Sequence, residues 1–104
     1  TFRGNDGASW QGIMLNTSAS LKQLTIKDAR RGLIVTGAAM EISLNNCSFE
    51  GNEVGLHIYD NSPTIQDCQF KNNYFYGIKE DSNSHPLVKD CRFINNGINY
   101  YHKT

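Results

Sequence analysis

The sequence predicts an all-β chain wound as a right-handed parallel β-helix, a single-stranded solenoid of about five coils with roughly 22 residues in each. Three observations predict it. A Cys-x-Phe segment recurs, a second ladder of Gly-apolar pairs keeps the same period, and the remaining residues suit short strands and tight turns better than helix.

Three segments align without gaps: Leu44-Asn45-Asn46-Cys47-Ser48-Phe49, Ile65-Gln66-Asp67-Cys68-Gln69-Phe70 and Val88-Lys89-Asp90-Cys91-Arg92-Phe93. Their cysteines step by 21 and 23 residues. Ile26-Lys27-Asp28-Ala29 reads as a weaker fourth copy. An Asn follows each Phe by three residues, at Asn52, Asn73 and Asn96. In parallel, Gly12-Ile13, Gly32-Leu33, Gly55-Leu56, Gly77-Ile78 and Gly97-Ile98 recur at steps of 20, 23, 22 and 20.

Each period holds two or three short runs rich in β-branched and aromatic residues, separated by Gly, Asn, Asp or Pro. No 3.6-residue apolar stripe competes with them. Coils of this period place equivalent residues about 4.8 Å apart, the spacing of paired strands, and parallel crossovers are right-handed. The predicted inward columns are Ile26/Leu44/Ile65/Val88, Ala29/Cys47/Cys68/Cys91, Phe49/Phe70/Phe93 and Ile13/Leu33/Leu56/Ile78/Ile98. Asp28/Asn46/Asp67/Asp90 mark one corner, where a short polar side chain tolerates a left-handed backbone. Gly51-Asn52, Asn72-Asn73 and Asn95-Asn96 mark another. Pro63 and Pro86 precede equivalent strands, where a missing amide hydrogen costs least. A leucine-rich repeat is the rival reading of Leu21-x-x-Leu24-x-Ile26, but it leaves the Gly-Ile column and the Phe-x-x-Asn corner unexplained.

Residues 1–104 form one domain, small enough to depend on good internal packing. Ten basic and ten acidic residues sum to zero formal charge, which removes the electrostatic footprint of a nucleic-acid binder. No apolar run is long enough to insert in a membrane. The chain opens on Thr1-Phe2-Arg3-Gly4 without an initiator Met, which reads as a processed product or an excised piece.

The three cysteines fall one per coil with no Cys-x-x-Cys pair, so metal-ligand spacing is absent. Stacked in-register side chains point the same way, which disfavours a disulfide. They read as buried thiols acting as small hydrophobes.

The pattern Asn/Asp-Cys-x-Phe-x-x-Asn followed by Gly-Leu/Ile resembles the PbH1 repeat of the pectate-lyase-like superfamily. The opening Trp10-Gln11-Gly12-Ile13 is similar to that of bacterial β-helix surface proteins. The resemblance implies the fold and a secreted or cell-surface setting. It implies little about activity, because the superfamily hosts lyases, hydrolases, epimerases, adhesins and inert stalks.

The resemblance also implies that the outward face of the Gly-Ile strand holds substrate. The outward positions there are Met14, Asn16, Ile34, Thr36, His57, Tyr59, Lys79, Asp81, Asn99 and Tyr101, with Asp60, Glu80 and His85 gathered nearby. His57, Tyr59, Lys79, Asp81, Asn99 and Tyr101 form the predicted glycan-contact set, because rings pack on sugar faces and polar groups read hydroxyls. His57, Lys79 and Asp81 are the candidates for acid and base work. The paired-Asp and other motifs of the carbohydrate enzymes are absent, and an exposed sheet face needs polar side chains in any case. Glu80 lands in an apolar column, so a bulge into the Asp81–His85 segment is expected there. No metal site and no cofactor is expected.

Neither terminus carries an amphipathic cap. Two consequences follow: a segment of a longer β-helix, or self-association by end-to-end stacking, which propagates as a filament when it does not close. The functional expectation is a noncatalytic structural or glycan-contacting module of a secreted or cell-surface protein, with a polysaccharide as partner. The alternative is a fragment of a polysaccharide lyase or glycoside hydrolase.

Overall fold

A computed structural model of the chain describes residues 2–3, 11–37, 40–81 and 84–102. Trp10 of the opening motif therefore lies outside the described residues, as does most of residues 1–9. In chain order the strands are β1 (Phe2–Arg3), β2 (Ile13–Leu15), β3 (Ala19–Lys22), β4 (Thr25–Lys27) and β5 (Arg31–Val35). β6 (Ile42–Asn45), β7 (Ser48–Glu50), β8 (Val54–Ile58), β9 (Thr64–Gln66) and β10 (Gln69–Lys71) follow. The chain closes with β11 (Tyr76–Glu80), β12 (Leu87–Lys89), β13 (Arg92–Ile94) and β14 (Ile98–His102).

They stack into three parallel sheets, ordered β1-β4-β7-β10-β13, β14-β11-β8-β5-β2 and β12-β9-β6-β3. The product is an all-β solenoid of about four turns with roughly 23 residues per turn, and no helix among the described residues. The expected five coils fall to about four full turns because β1 begins midway round a coil.

The core is a set of aligned columns. Phe49, Phe70 and Phe93 pair in register and stack, with ring centroids 4.9 and 5.1 Å apart and planes within 6° and 11°. Leu44, Ile65 and Val88 form the second column, and Leu33, Leu56 and Ile78 the third. Cys47 and Cys68 are buried, Cys91 is partly so, and none is in a disulfide. Pro63 and Pro86 immediately precede β9 and β12, and the Pro63 carbonyl accepts the Leu87 N–H at 3.0 Å.

The buried Asn column is a hydrogen-bonded ladder. Asn52 Oδ1 accepts from the Ala29 N–H at 2.9 Å, Asn73 Oδ1 from Asn52 N–H at 3.1 Å, and Asn96 Oδ1 from Asn73 N–H at 3.0 Å. Each side-chain amide donates to the carbonyl of the preceding coil's apolar column, at Ile26, Phe49 and Phe70. The residue before each Asn (Gly51, Asn72, Asn95) has positive φ, which turns the next side chain inward. The Gly column faces this ladder. A Cβ at Gly55 would sit 2.6 Å from the Gly77 carbonyl oxygen and 3.1 Å from Asn73 Nδ2.

Backbone pairing corrects three sequence alignments. Ile26 pairs with Phe49, not Leu44, so the first full coil reads Leu21/Leu44 and Ile26/Phe49. Gln23, at φ 56°, therefore takes the corner held by Asn46, Asp67 and Asp90, while Asp28 takes the corner of Gly51. Ala29 heads the Asn ladder rather than the Cys column. In the last coil Tyr100, not Ile98, pairs with Ile78. The reason is spacing from the ladder: Tyr100 follows Asn96 by the same four residues that separate Leu56 from Asn52. Finally, Glu80 forms no bulge. It pairs in register with Ile58 and is only 3% exposed.

Candidate functional site

On the predicted face, Met14, Ile34, His57, Lys79 and Tyr101 form one column across β2, β5, β8, β11 and β14. His57 is 7% exposed, and its Nε2 lies 2.7 Å from Asp81 Oδ2. A carboxylate only accepts, so Nε2 carries the proton and Nδ1 is the bare nitrogen. That Nδ1 is buried and has no hydrogen-bond partner among the described residues. Burial holds the His57 pKa below 6.5, assisted by Lys79 and Arg31 and opposed by Asp81. Tyr59 packs its ring edge-on against His57 at 4.8 Å.

Tyr76 and Tyr101 lie side by side at 5.2 Å with planes 38° apart, and the Lys79 ammonium stands 5.7 Å from the Tyr76 centroid. A shallow hollow of about 300 Å³ adjoins them, lined by Gln11, Arg30, Arg31, Glu53, Val54, His57 and Lys79.

The predicted set is thus brought together only in part. His57, Tyr59, Asp81, Lys79 and Tyr101 share one neighbourhood. Asn99 does not join it, because it follows the Gly77 column and its Oδ1 accepts from Asn96 Nδ2 at 3.2 Å. Glu80 turns inward and accepts from the Tyr100 hydroxyl. Burial and this bond push the Tyr100 pKa up. His85 lies elsewhere, with its backbone N–H on Ser62 Oγ. Asp60 lines a different feature altogether.

That feature is a groove of about 970 Å³ over β3, β6 and β9. Its floor is a hydroxyl column in strand register, Ser20, Ser43 and Thr64, with Ser43 Oγ donating to Ser20 Oγ at 3.2 Å. Met40, Glu41, Asp60, Asn61 and Ser62 complete the walls. Asn61 is 3% exposed and its amide donates to the Gly37 and Met40 carbonyls, at 2.7 and 3.0 Å. Apart from Asp60, these residues escaped the sequence reading, although the Ser20/Ser43/Thr64 steps of 23 and 21 carry the same period.

A family profile described as right handed beta helix region matches residues 1–103. The chain belongs to the right-handed β-helix family. No curated protein and no solved structure matched it. Among the described residues of this β-helix, no three His, Cys, Asp or Glu side chains converge as a metal-holding group.

Chemically, then, the β-helix offers two unlike surfaces. The groove carries hydroxyls and two carboxylates with no cation, which suits ligands rich in hydroxyl donors. The hollow carries three cations and one carboxylate beside an aromatic pair.

Proposed function

We propose that this chain is a noncatalytic, glycan-contacting module of a secreted or cell-surface protein, with the glycan lying in the groove over β3, β6 and β9. The observation that carries the reading is the groove floor. In-register hydroxyls of Ser20, Ser43 and Thr64 share the groove lining with the carboxylates of Glu41 and Asp60 and with the apolar Met40. Hydroxyls and carboxylates exchange hydrogen bonds with sugar hydroxyls, and a lining without Lys or Arg favours neutral over acidic sugars. The burial of His57 Nδ1 supports the noncatalytic part. A general base must reach the proton it abstracts, and this nitrogen faces no solvent.

A glycan array followed by calorimetry tests it. Neutral oligosaccharides bind the wild type, and Ser43→Arg, which fills the floor, weakens them by about tenfold or more. Absence of binding refutes glycan contact. Release of reducing ends or unsaturated sugars that disappears in Lys79→Ala favours the lyase or hydrolase alternative instead. End-to-end self-association belongs to the same proposal. Among the described residues β12, β13 and β14 end their sheets, and Leu87, Ile98 and Tyr100 are exposed there, an arrangement that invites further strands. A sedimentation profile with monomer alone across the micromolar range refutes it.

A further inference from the structure

We infer that the stacked thiols of Cys47, Cys68 and Cys91 are a binding site for a soft, two-coordinate monovalent cation, Cu(I) or its analogue Ag(I), held between successive coils. The site lies inside the solenoid, where β6 turns into β7, β9 into β10 and β12 into β13. It is therefore independent of the glycan reading.

Backbone register on both sides of each cysteine fixes the column. Asn45 pairs with Gln66 before the corner and Ser48 with Gln69 after it. Gln66 and Gln69 pair in turn with Lys89 and Arg92. The Gln69 N–H donates to the Cys47 carbonyl and the Arg92 N–H to the Cys68 carbonyl, each at 2.9 Å. The three thiols thus lie over one another, with Cys68 beside both neighbours. The Phe rings two residues along stack at 4.9 and 5.1 Å, which measures the coil repeat at this point.

That repeat decides the chemistry. A disulfide needs its sulfurs about 2.05 Å apart, a closure that hydrogen-bonded backbone on both sides of the corner opposes. With metal–sulfur bonds of about 2.3 Å, two thiolates on opposite sides of one ion stand about 4.6 Å apart, close to the coil spacing. Soft sulfur ligands select Cu(I) and its like. Zinc needs four ligands, and among the described residues no three His, Cys, Asp or Glu side chains converge to supply them.

Charge and access agree. Cys47 and Cys68 are 2% and 1% exposed and belong to the apolar core, against which Leu21 and Leu24 pack. Two monovalent ions fill both gaps, share Cys68 and displace two of the three thiol protons to solvent. The exchange leaves this apolar stretch uncharged, as its surroundings demand. The thiol hydrogens are held only by long contacts to the carbonyls two residues back, at 3.5, 3.4 and 3.5 Å for Cys47, Cys68 and Cys91. A thiol is a weak donor, so little is lost when an ion takes its place. Cys91, only partly buried, opens the column to solvent.

The test uses the full chain in reduced form. Native mass spectrometry counts bound Ag(I) or Cu(I), competition with bathocuproine disulfonate reads Cu(I) affinity, and X-ray absorption counts the sulfurs on each ion. The wild type takes two ions with two sulfurs apiece, and zinc does not displace them. Cys68→Ala removes the shared ligand and lowers Cu(I) affinity by about a hundredfold or more, because a single thiol lacks the effective concentration of a preformed pair. Cys91→Ala, a change at the margin of the core, takes one ion and keeps the inference testable where Cys68→Ala fails to fold. Met14→Leu, which removes an exposed sulfur outside the column, changes nothing. The inference is overturned if the wild type takes fewer than two ions, if folded Cys68→Ala keeps wild-type affinity, if Cys91→Ala still takes two, or if zinc competes equally.

Discussion

Asn73→Ala removes the middle rung of the Asn ladder. Its Oδ1 accepts from Asn52 N–H at 3.1 Å and Asn52 Nδ2 at 3.2 Å. Its Nδ2 donates to the Phe49 carbonyl at 3.0 Å and to Asn96 Oδ1 at 2.9 Å. Asn73 is 1% exposed, so water does not replace those partners. The substitution strands two donors on Asn52, and it deprives the Phe49 carbonyl and Asn96 Oδ1 of one donor each. At roughly 1 kcal/mol per net bond, with more for a group left unsatisfied, the cost is about 3–5 kcal/mol. That is a large part of the roughly 5–15 kcal/mol holding a domain together. The neighbouring Asn72→Ala is the control. Asn72 is exposed at φ 55°, so its loss costs only about 1–2 kcal/mol of left-handed backbone strain. Asn73→Asp, the same shape with an acceptor in place of the donor, falls on the destabilised side with Asn73→Ala. Urea unfolding followed by circular dichroism measures all three. If Asn73→Ala costs no more than Asn72→Ala, the ladder is not a structural spine and the reasoning fails.

Three further outcomes are expected. The three thiols stack in one column, where Cys68 is pushed well up between its two neighbours, while its proximity lowers Cys47 to about 6 and Cys91 to about 7. Cys91 is also the least buried of the three; iodoacetamide at pH 8 therefore alkylates it first, and peptide mapping that finds Cys68 labelled first contradicts this. Tyr100→Phe removes the hydroxyl bonded to buried Glu80 and lowers stability by about 1.5–3 kcal/mol at pH 7, whereas equal urea midpoints would mean the bond contributes nothing. His57 has its folded pKa held below 6.5. Below about pH 6.5 the unfolded chain therefore binds a proton that the folded chain refuses, and stability drops as pH falls. His57→Gln flattens that acid limb of the urea midpoint against pH, and an unchanged limb refutes the assignment.

Much of the fold is legible in the sequence because a solenoid repeats its local solution. A Phe stacks on a Phe one coil away, so the column spacing appears directly as a period. Legibility fails where a coil substitutes its column residues. The first full coil replaces Phe by Ile26, Cys by Leu24 and Asn by Ala29, so a local match drew Ile26–Ala29 into the wrong columns. In the last coil, Gly97-Ile98 imitates the Gly-Ile pair two residues too early. Only the distance from the Asn ladder reveals the shift, and the ladder's role is invisible until the coils are stacked.

The site was legible to a smaller degree. Alternation alone places His57 and Lys79 outward in one column, but it sets Asn99 beside them where the structure puts Tyr101. It could not say that Asp81 would engage His57 and leave its other nitrogen buried, nor that Glu80 would turn inward to meet Tyr100. The groove was hidden for a related reason. Its wall depends on contacts between coils, with the Asn61 amide donating to the Gly37 and Met40 carbonyls across 24 and 21 residues.

The order of residues by itself therefore determined a parallel coiled architecture, its inward Phe and Cys columns and its polar corners. Those follow from side chains meeting their own equivalents at one fixed spacing. Tertiary structure alone decided the strand register at both ends, the Asn ladder's partners, and which outward side chains enclose a groove or a cationic hollow. Those depend on corner lengths and on contacts between different coils, and no short-range pattern encodes where two different coils will close on each other.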